Sequence, residues 1–222
     1  MFPSEYFYQG KLITCDKIKE DVENQKLGIR NSHNICAEFL YNSKLNVVNF
    51  LDLQSLEEKV GQSYRNTAEI CYILSLLVDV IKAIYSVESV TTMTIAIVTP
   101  YKAQVRKMKE ELTTLIRRDY NSNSIIRESL SMVEINTVDG FQGREVDIVI
   151  FSCVRTNDRI GFVSDDRRLN VALTRSKRCL IIVGNAHGYS LERNASWSSL
   201  LKSLNERKFI QKVELPYESF FS

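Results

Sequence analysis

Residues 132–185, MVEINTVDGFQGREVDIVIFSCVRTNDRIGFVSDDRRLNVALTRSKRCLIIVGN, decide the fold. They read as strand, glycine-containing turn, strand, loop, basic helix and strand. Residues 133–137 alternate apolar and polar side chains, the period of a half-buried strand. Residues 138–144 carry Gly140 and Gly143 among Asp139, Gln142 and Arg144. Residues 146–154 are a near-continuous β-branched run, which suits a strand buried on both faces. Ser164 and Asp165 supply an N-cap and a first-turn acid for a helix reaching about Lys177. Residues 180–183 form a short apolar strand closed by Gly184.

Turning that helix at about 100° per residue places Leu169, Ala172, Leu173 and Ser176 on one stripe, against the sheet. Arg168 and Arg175 then share a flank, while Arg167, Asn170 and Thr174 face outward. An arginine flank beside a glycine turn ending in Glu145 suits a phosphate-bearing ligand, because guanidinium matches phosphate oxygens two at a time. A solvated helix beside an ordinary turn has the same composition, so these residues alone leave both readings open.

The chain has 222 residues, enough for one α/β domain with a full core. The net charge is only +2, so a nucleic-acid surface must be local and not a global basic field. Cys15, Cys36, Cys71, Cys153 and Cys179 show no C-x-x-C pairing, and with only His33 and His187 beside them a zinc site is not expected. Such cysteine usage fits a reducing compartment, cytoplasm or nucleus. Residues 1–10 lack the basic-then-apolar pattern of a secretory leader. The most apolar helix pattern, residues 70–85, is interrupted by Asp79 and Lys82 and is shorter than the roughly 18 apolar residues of a membrane span.

Along the rest of the chain, residues 13–44 are Asn- and Lys-rich and poorly patterned, as a variable insert would be. Residues 45–53 read as a strand and 54–64 as a loop. Asn66 with Glu69 three residues later forms a capping-box signature. Ile70, Ile73, Leu74, Leu77, Ile81 and Ile84 recur at helical spacing and belong in the core. Residues 93–99 read as a strand. A helix over 100–120 follows, with Thr99 as N-cap and Pro100 at its first position. Ser196 caps a last helix through Lys208 in which Trp197 covers the core, and residues 209–215 read as a last strand. His187 reads as a loop residue. Strands alternating with helices imply a parallel sheet with helices on both faces.

VDGFQGRE (138–145) and RRLNVALTRSK (167–177) resemble the fifth and sixth motifs of superfamily 1 helicases, within the group that includes the nonsense-transcript regulator and senataxin. SCVRTN (152–157), GFVSDDRR (161–168), TPYKAQ (99–104), the opening MFPSEYFYQGKL (1–12), and Ser63, Asn66 and Glu69 fit the same group. The resemblance implies a P-loop NTPase fold, specifically the second of the two RecA-like domains of a helicase motor. The whole of 1–222 would be that domain. The Tyr-Arg-Met-His-Pro motif that precedes FPS in the family is missing, so a fragment or incomplete gene model is expected.

By the same resemblance, Arg175 is an arginine finger, Glu145 bonds the ribose hydroxyls and Gly143 lets the backbone approach the nucleotide. Gln142 neighbours phosphate, and Arg168 either orients Arg175 or pairs with a carboxylate. Thr99, Pro100, Tyr101 and Lys102, with Thr137, Val138, Asp139 and Asn170, would follow a nucleic-acid backbone. Thr137 also reads as a strand residue bonding a neighbour, Asp139 as a turn-former, and TPYKAQ as a plain helix start.

The chain has no GxxxxGK[ST] loop, since Gly10-Lys11 is followed by Leu12, and no apolar strand ending in an Asp-Glu pair. ATP with Mg2+ would thus be held mostly by an N-terminal P-loop domain, with no metal ligand here. Single-stranded RNA or DNA is the expected substrate, read through its backbone, with movement 5′ to 3′ implied by the resemblance. No membrane partner is expected, and the location is nucleus or cytoplasm. The alternative is a truncated, non-catalytic paralogue that binds nucleic acid or a helicase partner.

Overall fold

Alternate side chains of the central strands enter two different cores. Leu51, Leu53, Ile95, Ile97, Ile148, Ile150, Ile181 and Val183 point to one side, and Phe50, Ala96, Val98, Val149, Phe151, Leu180 and Ile182 to the other. A strand covered on both faces can carry no polar alternation, which is why residues 148–151 and 180–183 are apolar throughout. This computed structural model describes residues 6–9, 11, 48–85, 93–120, 122, 124–156, 166–187 and 195–215.

Strands β1 (Val48–Leu53), β4 (Ile95–Thr99), β5 (Glu134–Thr137), β6 (Val146–Ser152), β7 (Ser176–Gly184) and β8 (Ile210–Val213) form a six-stranded sheet in the order β5-β4-β6-β7-β1-β8. Every neighbouring pair is parallel. Helices α1 (Thr67–Tyr85), α2 (Lys102–Asp119) and α3 (Ser124–Ser131) cover one face. Helices α4 (Asp166–Leu173) and α5 (Ala195–Glu206) cover the other. Trp197 is fully buried there, and the whole apolar stripe expected on α1 is buried. The expected α/β sheet with helices on both faces is the fold the chain adopts.

Four boundaries differ from the expectations. The helix expected over residues 164–177 ends at Leu173, and Ser176 already belongs to β7. The pairing with β6 accounts for the stop: the Arg175 carbonyl and Ser176 are taken up by Val146, while the Thr174 hydroxyl donates to the Asn170 carbonyl at 2.8 Å. Arg175 therefore stands in the junction, not on the helix. Helix α2 starts at Lys102 with Tyr101 as N-cap, because Thr99 still pairs with Thr137 and leaves Pro100 to turn the chain. The loop expected over 54–64 contains a hairpin, β2 (Glu58–Val60) and β3 (Ser63–Arg65), closed at Gly61 with φ +59°. Helix α3 lies where only a connection was expected.

The expected insert at 13–44, the opening FPS and GKL segments and the Ser164 and Asp165 cap fall outside the described residues, apart from Lys11. Among the described residues no helix is long and apolar enough to cross a membrane. Cys71, Cys153 and Cys179 are free thiols; burial pushes the Cys179 thiol up to about 12.

Candidate functional site

The expected site residues fall at opposite ends of the sheet. Thr99 and Thr137 are partners at the carboxyl ends of β4 and β5, and the Thr99 carbonyl accepts the Val138 N–H at 3.1 Å. Val146 and Ser176 are partners at the amino ends of β6 and β7, and the Arg175 carbonyl accepts the Val146 N–H at 3.1 Å. Strand β6 reaches from one level to the other, about 20 Å at roughly 3.3 Å per residue. Residues 138–145 join the two levels as a strap that holds a short 3-10 turn and the left-handed Gly143.

The strap is fastened along its length. Asn136 Oδ1 receives the Thr137 N–H at 2.8 Å, its Nδ2 donates to the Gly140 carbonyl at 3.3 Å, and Thr137 Oγ1 accepts the Gly140 N–H at 3.1 Å. A Cβ on Gly140 would stand 2.3 Å from Asn136 Oδ1, so only glycine closes this turn. A short 3-10 turn at Asp139–Phe141 sinks the fully buried Phe141 into the second core. Arg144 pairs with Glu134, and Arg168 Nε of α4 lies 3.4 Å from Asp139 Oδ1. Arg168 thus pairs with a carboxylate and does not share a helix flank with Arg175.

At the amino-terminal end, Gln142, Gly143 and Glu145 are exposed. Gly143 sits at φ +79° with nothing within 4 Å of the place where a Cβ would be. Its backbone is left-handed and open, a surface that a ligand can approach closely. Arg175 Nε donates to the Val171 carbonyl at 3.1 Å and Nη2 to Thr174 Oγ1 at 2.8 Å. No carboxylate among the described residues pairs with it, so Nη1 and part of Nη2 remain for a ligand. The remaining N–H donors of a planar fork, an open glycine and an exposed Glu145 fit a nucleotide's phosphates and ribose. Among the described residues no three of His, Cys, Asp or Glu converge to hold a metal ion.

At the carboxyl-terminal end, Lys102 and Asp139 are exposed, Thr137 is half-buried, and Thr99, Pro100, Tyr101 and Val138 are buried. Thr99 Oγ1 has no hydrogen-bond partner among the described residues. Asn170, expected to face outward, donates to the Tyr8 hydroxyl at 2.8 Å, and its buried Oδ1 has no partner among the described residues. Sequence reasoning missed the cluster behind this end. Arg155 of SCVRTN lies 4.0 Å over the Tyr64 ring and 2.8 Å from Glu57 Oε1, and Tyr64 meets Tyr101 edge to face at 5.5 Å. The capping box is half formed. Asn66 Oδ1 accepts the Glu69 N–H, but the Asn66 N–H goes to Gln104 Oε1 at 2.8 Å, and the Glu69 carboxyl accepts from Asn66 Nδ2 at 3.4 Å instead.

The model of the AAA domain family matches residues 1–187. Over its full length the chain is 33% identical to the probable helicase MAGATAMA 3 of Arabidopsis thaliana, covering 25% of that protein. It is 34% identical to the regulator of nonsense transcripts 1 homolog of Drosophila melanogaster, with 96% of this chain and 16% of that one aligned. Helicase SEN1 of Saccharomyces cerevisiae is 32% identical over 93% of this chain and 8% of its own. The chain thus spans a quarter or less of the length of these relatives.

Proposed function

The chain belongs to the AAA domain family and to the superfamily 1 helicases of the nonsense-transcript-regulator and Sen1 group, and from that premise we propose that it is the C-terminal half of an ATP-dependent RNA or DNA motor. Its partner in the motor is an N-terminal RecA-like domain carrying the P-loop, and its substrate is a single strand in the nucleus or cytoplasm. Movement 5′ to 3′ belongs to the same proposal.

One observation carries the reading: a single strap, residues 138–145, begins at the strand end shared by Thr99 and Thr137 and ends beside Arg175. ATP with Mg2+ supplies the phosphoryl transfer that drives such motors. Arg175 presents its unpaired N–H groups to the transferred phosphoryl group, Glu145 accepts from ribose hydroxyls, and Gly143 and Gln142 line the approach. At the far end Lys102 and Thr137 hold the sugar-phosphate backbone, framed by Thr99, Pro100, Tyr101 and Val138. Asp139 and Arg168 tie that end of the strap to α4 and hold the contact surface in place. Backbone contacts of this kind position a strand without reading its sequence.

The test is ATP turnover with and without single-stranded nucleic acid. The 222 residues alone are silent, because they hold no phosphate cradle. Joined to a P-loop RecA-like domain, they give turnover that the single strand stimulates. Turnover by the chain alone that survives mutation of Arg175 would overturn the proposal.

A further inference from the structure

Val154 has φ +69°, in the left-handed region, and its side chain is fully buried. A β-branched residue there is a true outlier, and an outlier is where a functional constraint is worth seeking. The Arg155 N–H closes this turn on the Cys153 carbonyl at 2.8 Å, and groups across the fold hold Val154 itself. The fully buried Glu69, on the first turn of α1, receives the Val154 N–H at 3.1 Å on Oε1 and 2.9 Å on Oε2. Glu69 Oε2 also receives the Ser152 hydroxyl at 2.6 Å. Asn66 Nδ2 donates to the Val154 carbonyl at 3.2 Å, so both polar groups of this residue are held from α1's amino end. Gln104, in the first turn of α2, closes the circuit by donating to Ser152 Oγ at 3.0 Å and to the Asn66 carbonyl at 3.3 Å.

The turn at Val154 decides where Arg155 goes. Arg155 lies back over Tyr64 and against Glu57, and Tyr64 abuts Tyr101, the residue that caps α2. Ser63 Oγ accepts the Ala103 N–H at 3.2 Å and seats the same helix start. Helix capping does not explain the Glu69 carboxyl, because Asn66 Oδ1 performs that task at 3.1 Å.

We propose that Glu69 is a positioning residue for the nucleic-acid edge: by holding Val154 left-handed it aims Arg155 at Tyr64 and Tyr101, and so fixes the start of α2 beside Thr137. The proposal rests on the reading of that edge as the nucleic-acid track.

The experiment measures binding of fluorescein-labelled oligo(dT) and oligo(U) to the chain at low salt, well below each variant's Tm. Glu69→Leu removes the acceptor while keeping apolar volume, and it lowers stability because the buried Val154 N–H is left unpaired. Both oligonucleotides should bind about tenfold more weakly to it. Glu69→Gln should bind as wild type, because its amide oxygen accepts from Val154 and its NH2 donates to Ser152. Val154→Gly reaches positive φ freely, so Glu69→Leu with Val154→Gly should recover binding. Glu69→Leu with Val154→Ala opens a similar cavity without that freedom and should not recover. Wild-type affinity in folded Glu69→Leu, or equal recovery by alanine and glycine, overturns the proposal. Where Glu69→Leu does not fold, loss of binding in folded Glu69→Gln overturns it. A wild-type chain that binds neither oligonucleotide overturns the nucleic-acid reading beneath it.

Discussion

The Val146 N–H, one residue past Glu145, donates to the Arg175 carbonyl at 3.1 Å. That bond joins two motifs about thirty residues apart in the chain and makes one edge of them. It also holds Arg175 while Nη1 stays open: its carbonyl is bonded to β6, its Nε is folded back on Val171 and its Nη2 on Thr174.

Gly143→Ala separates conformation from space. At φ +79° a Cβ costs about 1–2 kcal/mol, although nothing lies within 4 Å of it. The variant should fold with a modestly lowered Tm, while a joined motor containing it should bind a nucleotide analogue markedly more weakly. Analogue titration beside a melting curve checks this, and unchanged affinity would remove Gly143 from the nucleotide edge.

The opposite edge should show itself through salt. With a net charge of +2 the chain makes few phosphate contacts, so affinity for a single strand falls steadily as salt rises. Lys102→Ala should weaken binding equally across sequences and lower the logarithmic salt slope by about one. A slope unchanged in that variant would place the strand elsewhere.

Much of this was legible in the chain, for identifiable reasons. The β-branched run of β6 and the α1 stripe are long and strongly periodic, so strand and helix were plain. The end of α4 was not, because Leu173-Thr174-Arg175-Ser176 continues a helical pattern and only the pairing of Ser176 with Val146 overrides it. The β2–β3 hairpin hides in three-residue strands that carry charge, its Glu58 and Arg65 joined across the ladder at 2.7 Å. The turn glycine at 143 was readable, whereas Ser152 and Val154, which donate to the Glu69 carboxyl, lie more than eighty residues away and the capping spacing gave that side chain a local explanation.

Glu69 also sets a pH dependence. Burial pushes its carboxyl up from 4.5 to about 8, against the Ser152 and Val154 hydrogen bonds that lower it. The folded state therefore binds this proton more tightly than the unfolded one. Its stabilising contribution is complete below the unfolded value and is lost as pH rises through about 8. Between about pH 5 and 9, Tm should fall more in wild type than in Glu69→Gln. Parallel curves would show that Glu69 titrates normally. Asp147 acts in the other direction and lower on the scale: burial raises its carboxyl, but bonds to Thr94 and Arg178 outweigh burial and hold it below 3.8.

The central claim is that Arg175 acts on the transferred phosphoryl group from the edge where β6 and β7 begin. The most direct measurement is steady-state ATPase of Arg175→Ala and Arg175→Lys in the chain joined to a P-loop RecA-like domain, with melting curves to establish folding. An arginine finger contributes roughly a thousand- to a hundred-thousand-fold in rate, or about 4–7 kcal/mol of barrier. A surface ion pair is worth under about 1 kcal/mol. Arg175→Ala should therefore lose at least about a thousandfold in turnover while single-strand binding changes little. Arg175→Lys should recover little of it, because a point charge does not reproduce the planar fork. Ordinary turnover in a well-folded Arg175→Ala motor would contradict the assignment and the placement of the nucleotide against this edge.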